Sequence, residues 1–528
     1  MAEPWPLEPV LVLGAGPVGQ TTALLLARHG VPSIVLDRRP ARDLAGSKAI
    51  CQQRDVLDIW EAVGAGRRIA DEGVTWTTAR TFHGETELFS YTFAEPGTPE
   101  FPPFVNLSQS RTEEILDERI AAEPLVDLRW GHEVTGIDQD TTGVTVTAGD
   151  RSLRGSYLVV CTGARSDELR RLLGVRFDGE SFDDRFLICD IRADLPGWAT
   201  ERRFYFDPAW NPGRQVLIHP CPGSTYRIDW QVPAGYDLDA EVASGALDAR
   251  IRRIIGDREY EIVWKSVYRF HSRVADRMRC GRVLLAGDAA HLVSPFGARG
   301  LNSGVGDAEN AAWKIAYAGR GWAPEELLES YHDERHAAAR ENIAVTTATM
   351  DFLVPPDKAR ARQRSAVLAR AAVDPEARAA VDSGRLAEPF WYVDSPLTTP
   401  DPARPFGGRP PRGEVPPAGP GVLLPDAPVV VPGIGPTRAR AIARDGFLLL
   451  STIEVVAPGR ARVLRLAEID PDGALTTALG AKPGEVWVVR PDAHVAAVLT
   501  EPSPAEIEAA LARAAGRYSG PVFRTEAV

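Results

Sequence analysis

Val10-Leu11-Val12-Leu13-Gly14-Ala15-Gly16-Pro17-Val18-Gly19 decides the fold of this 528-residue chain. Four consecutive apolar residues read as a buried strand. The glycines then fall in the pattern G-x-G-x-x-G, ahead of a helix predicted over 20–29 and stopped by Gly30. A second strand, 33–36, ends at Asp37. The unit is strand–helix–strand, expected to be parallel and right-handed. In such a unit Gly14 permits the tight turn, Gly16 lets the backbone approach a pyrophosphate, and Gly19 allows close helix–strand packing. Pro17 and Val18 lie in the same loop. Asp37 stands about 20 residues on, where an acid can bind a ribose hydroxyl, with Arg38 beside it. The pattern points to a nucleotide without choosing which.

A second signature lies far downstream. The run Leu284-Leu285-Ala286-Gly287-Asp288-Ala289-Ala290-His291 continues to Pro295-Phe296-Gly297-Ala298-Arg299-Gly300-Leu301-Asn302. An apolar strand ends in Gly287-Asp288, a Gly-rich turn follows, and a helix is predicted over about 303–318. The Asp288 carboxylate can accept hydrogen bonds from sugar-like hydroxyls. Backbone N–H groups where the turn opens the helix, around Gly300, Leu301 and Asn302, carry partial positive charge and suit an anion-forming ligand. Two such sites a domain apart imply one extended ligand clamped at both ends. FAD fits, with its ADP half at the first site and ribityl and isoalloxazine at the second. His291 reads as a hydrogen-bonded structural residue, and Asp307 and Glu309 as surface or capping groups.

Composition narrows the function classes. A net charge of −12 argues against generic nucleic-acid binding and against a basic membrane-surface patch. The five cysteines, Cys51, Cys161, Cys189, Cys221 and Cys280, are scattered and form no C-x-x-C. That argues against a disulfide framework and a structural zinc site, gives no metal centre, and makes a reducing cytoplasm the default. Neither a signal peptide nor a membrane span is read. Strands are expected at 144–147, 157–161 and 282–286. Short alternating segments at 203–206, 215–219 and 226–232 read as a separate layer. Residues 394–420 are dense in Pro and Gly and read as a linker. Beyond it, a strand at 447–450, a hairpin over 486–499 and a helix over 504–516 read as a small α/β unit.

The chain resembles the class A flavoprotein monooxygenases, the group of p-hydroxybenzoate hydroxylase and phenol hydroxylase. It is most similar to the 3-(3-hydroxyphenyl)propionate hydroxylase-like branch. The resemblance rests on the two signatures above, and on Gln109, Glu113 and Leu116 in QSRTEEIL. It rests also on CTGARS at Cys161 to Ser166, on Ser383-Gly384-Arg385-Leu386, and on Asp394-Ser395-Pro396-Leu397. The tail VVRPDAHVAAVL resembles the thioredoxin-like C-terminal domain some relatives carry. Without C-x-x-C it implies a packing or dimer role, which leaves a homodimer open. The implied fold class is α/β: a Rossmann-type FAD-binding domain with an inserted β-rich substrate layer and a C-terminal thioredoxin-like domain. The expected boundaries are 1–181 and 276–400 for the FAD-binding parts, 182–275 for the substrate layer, 401–420 for the linker and 421–528 for the tail.

The resemblance implies non-covalent FAD, NAD(P)H as reductant, and O2. Through a flavin C4a-hydroperoxide the enzyme would hydroxylate a phenolic or polyketide-like aromatic substrate. It would place Gln109 on the ribityl or pyrophosphate part, Asp288 on a ribityl hydroxyl, and the Leu301 and Asn302 N–H groups near flavin N1 and C2. Pro295 would line the oxygen-reacting edge. A base is needed near the phenol; the substrate layer offers His219, Tyr205, Tyr226, Arg227, Asp229, Trp230 and His271. His219, Tyr226 and Arg227 stand with Pro295 as catalytic candidates, and Arg227 would suit a substrate carboxylate. Two departures matter. Relatives usually have Asp-Gly at Thr162-Gly163, and that Asp is associated with FAD and NAD(P)H handling. Relatives often have Arg at Lys48, and lysine cannot make the planar fork to a phosphate. The alternative is therefore an atypical FAD oxidoreductase with weak NAD(P)H use, performing dehydrogenation, rearrangement or Baeyer–Villiger oxidation.

Overall fold

The computed structural model describes residues 3–43, 49–93, 98–411, 414–456 and 458–517. Strand Val10–Leu13 is wholly buried and sits at the centre of a six-stranded sheet. The order is Arg279–Cys280, Val283–Leu285, Leu158–Val160, Val10–Leu13, Ser33–Asp37, Val126–Trp130. All neighbours are parallel except the antiparallel edge strand Arg279–Cys280. Thus both nucleotide signatures follow parallel strands of the same sheet, with only Leu158–Val160 between them. Helix Pro17–Arg28 starts one turn before the expected 20, because Pro17 supplies the first helical φ and needs no N–H partner. It packs against helix Arg299–Gly319. A Cβ on Gly304 would lie 2.6 Å from Val18 Cγ2, so the close approach of these helices requires glycine there. Helix Arg299–Gly319 likewise begins four residues before the expected 303, directly after Ala298 at φ +57°.

The second layer is an eight-stranded sheet. Its middle is formed by Phe177–Ala193, Thr225–Val232, Gln215–Cys221 and Glu201–Phe206, all paired antiparallel. It is wider than 182–275: Thr78–His83 and Thr86–Thr92 extend one side, and His291–Leu292 closes the other. The period-two alternation of these strands sorts their side chains. Leu187, Cys189, Ile191, Val216, Ile218, Tyr226, Ile228 and Trp230 share one core with helix Ala246–Ile255. Phe186, Phe204, Phe206 and Leu217 face the other way and pack on Phe296, Met350 and Leu353.

The C-terminal sheet runs Arg462–Arg465, Leu448–Ser451, Glu485–Val489, Val495–Thr500. The first pair is parallel and the others antiparallel, with helix Pro504–Ala514 following, which is the thioredoxin-like order. This unit shares a core with the first domain: Trp313, Tyr317 and Leu327 pack among Phe447, Leu449, Val486, Val488 and Ile507. The segment leading into it is irregular but anchored, with Trp391, Tyr392 and Leu397 buried.

Candidate active site

At the first signature the three glycines do different work. Gly14 has φ +98°, and a Cβ there would lie 2.5 Å from the Cys161 carbonyl oxygen. At Gly19 it would lie 1.9 Å from the Gly14 carbonyl oxygen. A Cβ on Gly16 meets nothing within 4 Å, so this backbone edge is bare on the side that a pyrophosphate would occupy. The residues present fit the ADP half of FAD. Val18 serves by packing, wedged against Gly287 and Gly304. The buried Asp37 carboxylate accepts from Ala15 N–H at 2.8 Å and from Arg39 N–H and guanidinium at 2.9–3.0 Å. It therefore shapes the loop, and a carboxylate with about four acceptor positions keeps room for a ribose hydroxyl. Arg38 is exposed, whereas Arg39 and Arg42 lie over the Trp130 ring. Arg42 also ties the loop's Ala15 carbonyl (2.7 Å) to Glu113 (2.8 Å) and Asp117. Sequence reading missed these two arginines. The signal was there in the run of basic residues after Asp37, but spacing alone did not say which one turns inward.

Gln109 begins helix Gln109–Ala121, capped by Ser108. Its side chain accepts from Ala49 N–H at 3.3 Å and donates to Glu113 at 2.8 Å. Lys48 lies outside the described residues. Thr162 sits against the Gly14 turn. Ser166 Oγ donates to the Gly163 carbonyl at 2.6 Å, so the Thr162 hydroxyl, 2.6 Å from Ser166 Oγ, is the donor of that pair. Thr162 thus closes a turn in which Gly163 takes φ +75°.

At the second signature, Gly287 to Ala289 form a short helical turn, leaving the Asp288 residue exposed. The expectation for Asp307 and Glu309 is corrected here. Both are buried, because they lie on the inner face of helix Arg299–Gly319. Asp307 accepts from Gly287 N–H at 2.9 Å, meets His291 Nε2 at 2.7 Å, and accepts from Arg335 at 2.6 Å. Burial alone would raise its carboxyl, but His291 and Arg335 outweigh that and hold it down at about 2. His291 is itself fully buried, with its ring against Asp307. Glu309 pairs with Arg444 of the C-terminal unit at 2.7 Å.

Pro295 is exposed, and Phe296 behind it is buried among Phe186, Phe204 and Phe270. The turn delivers the chain into helix Arg299–Gly319, whose first N–H groups, through Gly300 and Leu301, have no intrahelical acceptor. The Asn302 side chain fixes this helix end: its Oδ1 accepts from Gln53 N–H at 3.0 Å and its Nδ2 donates to the Cys51 carbonyl at 3.0 Å. A rigid helix N-terminus of this kind suits the flavin pyrimidine edge.

The substrate layer separates the candidate catalytic residues by parity. Tyr226 faces the hydrophobic side, 4% exposed, and donates to the Leu195 carbonyl at 3.3 Å. Alternation puts it on the sheet face opposite Arg227 and Asp229. Tyr205 and Trp230 share that face. His219, Arg227 and Asp229 lie on the other. Arg227, 2% exposed, forms a two-point pair with Asp190 at 2.7 and 2.8 Å, so it is a buried ion pair rather than a surface one. His219 Nε2 lies 3.9 Å from Asp229 Oδ2. His219 Nδ1 and Asp229 Oδ1 have no hydrogen-bond partner among the described residues. Burial, with Arg202 and Arg227 nearby, keeps His219 neutral, and burial lifts the Asp229 carboxyl to about 7. Cys221, two residues after His219, packs with Cys51, Trp76, Phe104 and Ala298. Trp76 stacks on Phe104 at 5.5 Å, and Phe93 meets it edge-on at 5.3 Å. Sequence reading missed this aromatic wall, since Trp76, Phe93 and Phe104 carry no motif. His271 lies apart, hydrogen-bonded to Ser181 at 2.7 Å.

Among the described residues no cluster of three or more His, Cys, Asp or Glu could hold a metal ion, and no helix is long and apolar enough to cross a membrane. Comparison with known proteins agrees with this geometry. The 3-(3-hydroxy-phenyl)propionate/3-hydroxycinnamic acid hydroxylase of Mycobacterium sp. (strain KMS) is 31% identical over 377 residues, 69% of this chain and 63% of that protein. The chain thus matches less than two thirds of that relative's length. The flavin-dependent monooxygenase PieE, solved with FAD and substrate, superposes with a TM-score of 0.82 at 25% identity, covering 97% of this chain and 99% of its own. The Diels-Alderase PyrE3 of pyrroindomycin biosynthesis superposes with a TM-score of 0.68 at 28% identity, covering 96% and 98%. Residues 8–346 match the family described as an FAD binding domain, and the chain belongs to that family.

Proposed function

We propose that the protein is an FAD-dependent monooxygenase that hydroxylates a phenolic ring, with NAD(P)H as reductant and O2 as oxidant. The observation that carries this reading is the pair of unpartnered buried atoms, His219 Nδ1 and Asp229 Oδ1. They lie on the sheet face whose neighbouring strand end packs with Trp76, Phe104 and Ala298, the residue preceding the flavin-facing helix. An aromatic ring bearing a hydroxyl satisfies both features: the wall takes the ring and the polar pair takes the hydroxyl. When bound, FAD supplies the redox chemistry, accepting a hydride and activating oxygen. Asp229, with its carboxyl near 7, is placed to accept the phenol proton as the ring becomes electron-rich. The neutral His219 orients the hydroxyl, and the Arg227–Asp190 pair fixes the strand register beneath. The aromatic wall excludes water. A cytoplasmic location accords with five unpaired cysteines. The test is Asp229→Asn: kcat should fall about 10²–10⁴-fold, the range for loss of a general base. The wild-type rate should rise with pH through about 7 and the variant's should not. A variant with wild-type rate and pH profile contradicts the assignment.

A second reading is favoured by Thr162. Its hydroxyl is committed to Ser166, and it carries no charge for the nicotinamide cofactor. Slow NAD(P)H reduction, restored by Thr162→Asp in anaerobic stopped-flow, would favour a flavin-fixed transformation without oxygen insertion. The likeness to a Diels-Alderase accords with that reading.

A further inference from the structure

Three sides of the proposed substrate site meet at Asn106, which is fully buried. It ends strand Phe104–Asn106, the middle strand of a small sheet between Cys51–Gln53 and Val74–Thr75, and stands opposite both Cys51 and Val74. Its carboxamide makes two bonds of opposite sense. Oδ1 accepts from Trp76 Nε1 at 3.1 Å, and Nδ2 donates to the Pro220 carbonyl at 2.8 Å. Trp76 carries the aromatic wall: Phe93 meets its ring edge-on, and Tyr91 meets Phe93 in turn at 5.1 Å. Pro220 lies between His219 and Cys221 on strand Gln215–Cys221. The ladder from that strand to Glu201–Phe206 ends at Ile218, so Asn106 ties down the part that bears His219. On the third side Cys51, opposite Asn106, accepts through its carbonyl from Asn302 of the flavin-facing helix.

The chemistry of the partners fixes the residue type. An indole N–H only donates and a proline carbonyl only accepts, so the side chain between them must offer one acceptor and one donor. Asparagine offers both; ionised aspartate lacks the donor, and leucine lacks both. A buried carboxamide is costly unless both bonds are made, so it holds the two walls at one separation. We propose that Asn106 is a positioning residue that sets substrate specificity. It fixes the aromatic wall relative to His219 and Asp229, so that a phenolic ring lying on the wall meets the polar pair. The inference rests on the phenol reading of this site. Asn106 itself touches no substrate; it acts through Trp76 and Pro220.

The experiment uses the flavin-loaded protein with phenol and 2-naphthol as probes. Their binding is followed by the flavin absorbance change, beside KM, kcat and the product formed per nicotinamide oxidised. Wild type is compared with Asn106→Asp, Asn106→Leu and Trp76→Phe. At pH 8 both Asn106 variants should bind phenol about tenfold more weakly, as expected when a buried partner is left unsatisfied. KM should rise with kcat within about twofold, product per nicotinamide should fall, and the two probe affinities should converge, because the looser site discriminates less. FAD affinity should not change. Toward pH 6 Asn106→Asp should recover relative to wild type, since its buried carboxyl takes up a proton and regains a donor for the Pro220 carbonyl; Asn106→Leu should not recover. Trp76→Phe, which keeps a ring and removes only the indole donor, should weaken phenol binding about threefold; it decides the matter if the Asn106 variants do not fold. Folded variants that melt lower but keep wild-type probe affinities, KM and product yield overturn the proposal, as does an Asn106→Asp deficit that ignores pH. A wild-type protein that binds neither probe strikes the phenol reading, and the inference falls with it.

Discussion

Replacing Gly16 with valine separates cofactor binding from folding. Gly16 has φ −77° and ψ 179°, an extended conformation open to any residue. Its Cβ position meets nothing within 4 Å. The flavin-free fold should therefore tolerate the side chain, and restricting the unfolded chain stabilises by about 0.4–1 kcal/mol at such a site. FAD should be rejected, because the isopropyl group fills the bare edge where the pyrophosphate lies. Two charge-assisted N–H contacts to the phosphates, at about 1.5–3 kcal/mol each, give a loss of roughly 3–6 kcal/mol, or about 10²–10⁴ in Kd. Gly19→Ala is the counterpart. Its Cβ would lie 1.9 Å from a backbone oxygen that cannot step aside, so the flavin-free protein itself should melt lower. The assay is fluorescence titration of the flavin-free proteins with FAD, beside their melting curves. Unchanged FAD affinity in Gly16→Val refutes the reasoning, as does a loss of flavin-free stability equal to that of Gly19→Ala.

Arg444→Met should destabilise the protein by about 3–5 kcal/mol in urea, because it strands Glu309 in the interface with the C-terminal unit and leaves Asp58 only the longer 3.4 Å contact to Arg440. Burial already holds the Glu309 carboxyl above its usual range, and losing Arg444 raises it further. A raised carboxyl opposes folding as it ionises, so the deficit should be larger at pH 8 than at pH 5. The lowered Asp307 carboxyl works in the opposite sense. Its folded value of about 2, against 3.8, contributes roughly 2 kcal/mol above pH 4, lost as pH falls through 2. Asp307→Asn should thus cost at least that much at pH 7 and progressively less toward pH 2, measured by chemical unfolding.

What the sequence disclosed, and what it hid, follows from the range of the interactions. The strand Val10–Leu13, the glycine turn and the strand ending at Asp37 are set by local pattern, and they stand where that pattern places them. Strands of the substrate layer were legible from alternation. Which face looks toward the flavin was not, because parity divides Tyr226 from Arg227 without naming the inner side. Asp307 was misread because its partners, His291 and Arg335, come from other segments of the chain. The partners of Arg299 were hidden for the same reason: Asn342 and the Arg385 and Leu386 carbonyls reach it from distant segments.

The central claim is oxygen transfer to an aromatic ring, and one measurement addresses it most directly. The flavin-loaded protein is incubated with NADH or NADPH and a panel of phenols under ¹⁸O2, and the products are weighed by mass spectrometry. The expected result is a hydroxylated product carrying one ¹⁸O atom, with nicotinamide oxidation matched to product. Nicotinamide oxidation and peroxide without labelled product across the panel, or conversion of a substrate with no ¹⁸O incorporated, would contradict it.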